Sequence, residues 1–195
     1  MDTYHVILYV HLLALFIGIG AGSVLLTCLF QLRAARTLEE ALPWGKVSGQ
    51  VAKLFPVAIV GLFGTGAYMT SESSSPWTWS TRWIDVAIAA LVVVTIQGAI
   101  IAERTAKKLE AALHANGPGP LGPECRRLAL HPGLWVTEFS NLGLVFGVVW
   151  AMTEKPGLGG SLAAVLVGYG VGAVLAVLAS RAPQEERAAA TEPAG

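Results

Sequence analysis

The chain is expected to be all-α: a polytopic membrane helical bundle of five transmembrane helices, with its N-terminus outside and its C-terminus cytoplasmic. Three observations predict this. Five long segments are almost free of charge, Val6–Phe30, Leu54–Met69, Ile84–Ala102, Leu134–Met152 and Leu158–Ala179, and a spanning helix takes about 17–25 mainly apolar residues. The composition is 54% hydrophobic and only 13% charged, where a soluble domain carries about 25% charged residues. The third observation is how Lys and Arg are shared among the loops.

Arg33, Arg36, Lys46 and Lys53 follow the first segment; Arg104, Lys107, Lys108, Arg126 and Arg127 follow the third; Arg181 and Arg187 follow the fifth. Only Arg82 and Lys155 lie in the other loops. Cytoplasmic loops hold the excess of Lys and Arg, so the split orients the chain and requires an odd number of spans. The net charge of zero gives no long-range field for a nucleic-acid partner. The bilayer is the expected partner. The length suits one domain, residues 1–181, with a cytoplasmic helix extension at about 103–114 and a disordered cytoplasmic tail over 182–195. Met1-Asp2-Thr3 lacks the basic start of a signal peptide, so the first segment reads as a retained span.

Each span has its own markings. The first carries Gly18 and Gly22, the fourth Gly143 and Gly147, the fifth Gly168 and Gly172, and Gly61, Gly64 and Gly66 thin the second. Small residues four apart let helix backbones approach closely in lipid. They argue for a compact bundle or a flat ligand between helices, and more weakly for a homo-oligomer. Tyr4, Tyr9, Tyr68, Trp77, Trp79, Trp83 and Trp150 mark the outer boundary, and Trp44 and Trp135 the inner one, where amphipathic rings settle. Ser73-Ser74-Ser75-Pro76 signals a turn in the outer loop. A helical pattern continues beyond the third span until Asn116-Gly117-Pro118-Gly119-Pro120 ends it. Cys28 and Cys125 fall near or in the reducing cytoplasm, which argues against a structural disulfide, and Cys28 reads as packing.

Polar groups inside the membrane are where chemistry is sought, because each costs free energy unless paired or functional. His11 stands about two turns into the first span. At 100° per residue Tyr4, Gly18 and Gly22 fall within about 20° of it, so the imidazole is expected to face the bundle. There it is either a hydrogen-bonded core histidine or a ligand for haem iron or copper. Met69 and Met152 end the second and fourth spans on the same side. Methionine with histidine suits a haem axial pair or a Cu(I) site, and plain packing is the alternative. Gln97 reads as an interhelical hydrogen-bonding group and Asp85 as a cap or a partner of Arg82. Glu138, with Asn141 one turn on, needs a basic partner such as Lys53 or Arg104, or a proton. His131-Pro132-Gly133 reads as a helix entry, and His114 as part of a solvated face. No nucleophile elbow, P-loop, Cys-x-x-Cys or zinc spacing occurs in the sequence, so the chain leans away from being an enzyme.

Tyr9-Val-His11-Leu-Leu-Ala-Leu-Phe-Ile-Gly18, Leu62-Phe-Gly-Thr-Gly66 and Trp150-Ala-Met-Thr-Glu-Lys-Pro-Gly157 resemble a family of bacterial integral membrane proteins of unknown function. That family is similar to the copper-resistance D membrane proteins and, more distantly, to the small membrane-bound protoporphyrinogen oxidase. The resemblance covers most of residues 4–180. It implies a multi-pass protein of the bacterial inner (cytoplasmic) membrane, with haem b or copper at the position of His11. The oxidase's membrane lysine has no counterpart here, since Lys53 lies at the inner boundary, so the resemblance does not extend to that activity. Two functional readings follow. One is a non-enzymatic haem- or copper-binding bundle with an outer-half site at His11, with Met69 and Met152 as the other candidate ligands. The other is an accessory or assembly subunit of a larger respiratory-type membrane complex, without its own cofactor. The charge split makes the orientation testable. A single cysteine placed at Ser80 in a cysteine-free background should react with impermeant maleimide from outside intact cells, and one at Glu110 only after permeabilisation; reaction of both from one side would overturn the five-span topology.

Overall fold

The computed structural model describes residues 3–72 and 75–191; Ser73 and Ser74 of the expected turn, and the end of the tail from 192, lie outside the described residues. The chain forms α1 (Thr3–Ala34), α2 (Leu38–Ala52), α3 (Leu54–Ser71), α4 (Arg82–Gln97), a π-helical turn (Gly98–Ala102), α5 (Glu103–Ala115), α6 (Pro123–Ala129), α7 (Pro132–Glu154) and α8 (Leu158–Thr191). No strand occurs among the described residues, and Thr37 and Pro120 form an isolated bridge. Five helical stretches are long and apolar enough to cross a membrane: Thr3–Ala34, Leu38–Ser71, Arg82–Ala115, Pro123–Glu154 and Leu158–Ser180. The expected spans lie inside them. Backbone helix runs on in α8 to Thr191, into the segment expected as a tail.

The outward faces show which solvent the fold is built for. Phe16 is 68% exposed, Val60 72% and Leu166 66%. Apolar patches of this extent do not occur on soluble monomers, and in a bilayer they meet acyl chains. This is the architecture of a multi-pass membrane protein.

Two tight seams organise the bundle. The more extensive joins α7 to α8, and it is made of glycine against backbone. A Cβ on Gly143 would fall on the Gly168 carbonyl oxygen, one on Gly168 on that of Gly143, and one on Gly172 on that of Phe139. The spaced glycines of the fourth and fifth spans therefore serve packing within the chain. The second seam joins α1 to α3 in antiparallel register. A Cβ on Gly18 would stand 3.7 Å from that of Ala58, one on Gly61 would stand 3.0 Å from that of Ala14, and one on Gly66 would stand 3.6 Å from His11 Cε1. Helix α7 also touches α1 and α4, whereas α3 and α4 barely meet. The spans α1, α3, α4 and α7 thus form a ring with one loose side, and α8 buttresses it from behind α7.

At the basic end, short helices that the hydropathy pattern does not mark build a second small core. Leu32, Ala35, Ala41, Leu109, Leu113, Leu121, Cys125, Leu128 and Ala129 pack together there, joined by Leu38, Trp44 and Ala112. Helix α2 starts at Thr37, whose hydroxyl accepts from Glu40 N at 3.4 Å, while the Glu40 carboxylate accepts from Arg36 N at 2.7 Å. This is a capping-box arrangement. Helix α5 is the expected extension, with Glu103 and Lys107 2.6 Å apart, and it ends at Asn116 in extended conformation. The Asn116 side chain then knots the turn, accepting from Gly122 N at 2.8 Å and donating to Gly117 O at 2.8 Å. His131 caps α7 by accepting from Gly133 N at 3.1 Å, as the helix-entry reading expects. Cys28 and Cys125 are both free and buried.

The glycine seam makes a contrast testable within one helix. Gly168→Ala should lower the unfolding free energy of the detergent-solubilised protein by about 1–3 kcal/mol, because the new methyl meets the Gly143 carbonyl. Gly170→Ala, with nothing within 4 Å of its Cβ position, should be neutral or stabilising. Equal responses would mean that the α7–α8 approach is not as close as described.

Candidate functional site

A cavity of about 1280 Å³ runs along the ring between α1, α3, α4 and α7 and continues to α2 and α5 at the basic end, with no residue of α8 in its lining. Ligand pockets are commonly about 300–1,000 Å³, so this one has room for a large ligand or for two. At the tryptophan end it is lined by Tyr4, Trp77, Trp83, Met69, Met152 and Lys155. At the basic end Lys46, Lys53, Glu103, Lys107 and Glu110 line it. His11, Glu138 and Asn141 line it in between.

His11 is 8% exposed and faces the bundle as the stripe with Gly18 and Gly22 predicts. Its Nδ1 lies 2.8 Å from Thr65 Oγ1. The Thr65 hydroxyl has one hydrogen, which it donates to the Gly61 carbonyl at 2.5 Å. With that hydrogen on Gly61, an accepting Thr65 selects the tautomer that carries its proton on Nδ1 and its lone pair on Nε2. The Leu62 backbone is a second hydrogen-bonding neighbour of the ring. A ligating histidine is commonly held in this way, by a bond to its other ring nitrogen. Gly66 is what admits the ring, because its missing side chain leaves the space beside Cε1.

The candidate methionines share the cavity wall with His11, at different depths. Met69 is four residues beyond Thr65, hence one turn nearer the tryptophan end on the same face of α3. For Met152 the register between α1 and α7 is fixed by Gly22, whose Cβ position lies 4.0 Å from Leu142 Cδ1. Counting from that level along antiparallel helices at about 1.5 Å per residue puts Met152 within about a turn of His11 in depth. Among the described residues no group of three His, Cys, Asp or Glu could hold a metal ion. His5 is exposed and sets its ring edge-on to Tyr4, with centroids 5.9 Å apart.

Polar groups that lack partners point to what the cavity can hold. Among the described residues Trp83 Nε1 is buried without a hydrogen-bond partner, and so is Asn141 Oδ1. Glu138 makes no ion pair with Lys53 or Arg104, and none with any other described residue. Lys155 is the C-cap of α7 with φ 50° and ψ 48°, a left-handed conformation usually left to glycine or asparagine. Its ammonium stands 5.2 Å from the Trp77 ring centroid, and Trp77 meets Trp83 edge-on at 5.9 Å. Trp83 and Lys155 read in the sequence only as a boundary ring and a loop charge. The one local signal for Lys155 is Lys-Pro-Gly after an apolar run. Elsewhere the conservative readings hold: Gln97 Nε2 donates to Tyr169 Oη at 3.0 Å, and Arg82 pairs with Asp85 at 3.7 Å.

Comparison with protein-family models, curated proteins and solved structures finds no significant match to this chain. The resemblance to copper-resistance D proteins therefore rests on the quoted motifs alone. The His11–Thr65 bond is testable without any ligand. Thr65→Val should cost about 1 kcal/mol of unfolding free energy in detergent, and Thr65→Ser should restore most of it; a valine variant as stable as the parent would sink the bond as a determinant of the ring's position.

Proposed function

We propose that the chain is a non-enzymatic haem-binding bundle of the bacterial inner membrane, with its N-terminus outside and its cofactor in the outer half of the cavity. The observation that supports this most directly is the contact between His11 Nδ1 and Thr65 in the cavity wall. With Nδ1 held by Thr65, the ring offers Nε2 from the wall of a large apolar cavity, which is what an axial haem ligand requires. Met152, at about the same depth, and Met69, one turn further out, are candidates for the second axial position. The unpaired Trp83 N–H and the Lys155 ammonium at the outer mouth suit carboxylates such as haem propionates. Bound haem b would supply one-electron chemistry. The residues of this chain would orient it, exclude water, and set its potential through the thioether and the buried imidazole.

Copper is the alternative cofactor. A soft His–Met site suits Cu(I), and it would be built from His11 with Met69 or Met152, because no carboxylate or thiol joins them. Either cofactor fits electron transfer or copper handling at the outer leaflet.

The test is the absorbance spectrum of protein purified in mild detergent after expression with haem and copper both supplied. A Soret band with a pyridine haemochrome near one haem per chain is expected, and His11→Ala should lose at least nine-tenths of it. Lys155→Ala should weaken retention without abolishing it. A wild-type protein with neither haem nor copper, or a His11→Ala variant that keeps its full cofactor load, would overturn the reading. Purification without cofactor but with stoichiometric membrane partners would favour the accessory-subunit alternative instead.

A further inference from the structure

The same cavity has a second polar locus that the cofactor reading does not use. Glu138 and Asn141 are three residues apart on α7, hence neighbours on one helix face, and both line the cavity. From the Gly22–Leu142 level, Asn141 lies about 18 Å below His11 along the bundle axis at about 1.5 Å per residue. One group at His11 therefore cannot also serve the Glu138–Asn141 pair by its polar end.

Three features describe what would occupy this inner half. Asn141 Oδ1 is a buried acceptor without a donor, and Glu138 is a carboxyl with no charged or hydrogen-bonding partner among the described residues. Leaving such groups unpaired in an apolar setting costs about 1–3 kcal/mol each, so the site favours a ligand that brings a donor. Second, the walls around the pair are apolar: Ile19 and Leu25 of α1 and Leu142 and Val145 of α7 line the cavity with it, which suits a ring with an apolar chain. Third, the cavity is reached from lipid. A smaller cavity of about 180 Å³ lies at the loose α3–α4 side, and its lining shares Ile59, Phe63, Leu91 and Thr95 with the large one.

We infer that the inner half of the cavity is a binding site for a membrane-soluble phenol or hydroquinone, whose ring hydroxyl donates to Asn141 and pairs with Glu138 while its apolar chain leaves between α3 and α4. A hydroxyl both gives and takes a hydrogen bond, so it donates its one hydrogen to the amide oxygen and accepts from the carboxyl when that is protonated. An acyl chain alone would fill the space and leave both groups unpaired. The inference uses the cavity described above but does not require a cofactor at His11.

The experiment is competitive binding read by native mass spectrometry on the full chain released from nanodiscs, with three probes of equal chain length: decylhydroquinone, 4-decylphenol and decylbenzene. The two hydroxylated probes should bind at least about ten-fold more tightly than decylbenzene. Asn141→Leu should lower their affinity about ten-fold, and Glu138→Gln should lower it less, with decylbenzene unchanged as the measure of an intact cavity. His11→Ala, which tests the cofactor reading, should leave all three affinities as they are. Equal binding of 4-decylphenol and decylbenzene to the parent protein would overturn the inference and leave a lipid slot. So would a preference for the hydroxylated probes that survives both Asn141→Leu and Glu138→Gln.

Discussion

Everything in this bundle follows from two seams in which helix backbones come close, and from the absence of a third. In lipid, helices gain nothing by hiding apolar side chains from one another, so association depends on surfaces that fit. Glycine supplies the fit between α7 and α8 and, with alanine, between α1 and α3. No such pairing joins α3 to α4, and those two helices barely touch. A ring of four helices closed tightly on some sides and loosely on another has to enclose space, and that space is the cavity. Its apolar middle and polar ends follow from the bilayer itself, since tryptophan and lysine settle where the membrane meets water.

Within that space polarity is rationed, which makes each polar group informative. Most hydroxyls along the spans are spent on their own helix: Thr70 donates to Gly66 O at 2.8 Å, Thr95 to Leu91 O at 2.7 Å, and Ser140 to Val136 O. Thr65 differs because its hydroxyl also meets a side chain of another helix, the His11 ring, at 2.8 Å. At the basic end Arg33 is treated as a core residue. Its guanidinium donates to the Ala179 carbonyl and lies 5.1 Å from the Trp135 ring centroid and 5.4 Å from that of Phe30. Trp135 is 1% exposed and donates to Ala129 O at 3.1 Å, so this cluster ties α1, α6, α7 and α8 together just where the cavity meets the short-helix cap.

What the sequence discloses divides along physical lines. Span number and extent are legible because a bilayer imposes one length and one composition on every crossing. The direction of His11 is legible because helix geometry links it to Gly18 and Gly22. Its partner is not: Thr65 lies 54 residues away, and only the register of the α1–α3 seam brings them together. The short helices are partly legible. Thr37-Leu-Glu-Glu40 and Gly122-Pro-Glu124 are ordinary helix starts, overshadowed by the hydropathy of their neighbours. The π-helical turn at Gly98–Ala102 carries no signal beyond a glycine inside an apolar run, and the expected partners of Glu138 are equally reasonable in sequence and absent in space.

That turn links the two halves of the molecule. A π-helical insertion widens the helix locally, and the cavity-lining face runs on through it, from Leu91 and Thr95 to Ala99, Ala102, Ala106 and Lys107. At the far end of α5, Leu109 and Leu113 line the cavity and also pack into the short-helix core. One continuous helical stretch, Arg82–Ala115, thereby serves both as a wall in lipid and as the amphipathic support of the cap. The Glu103–Lys107 pair sits at the junction, half in the cavity lining and half in solvent, where it keeps the basic mouth polar.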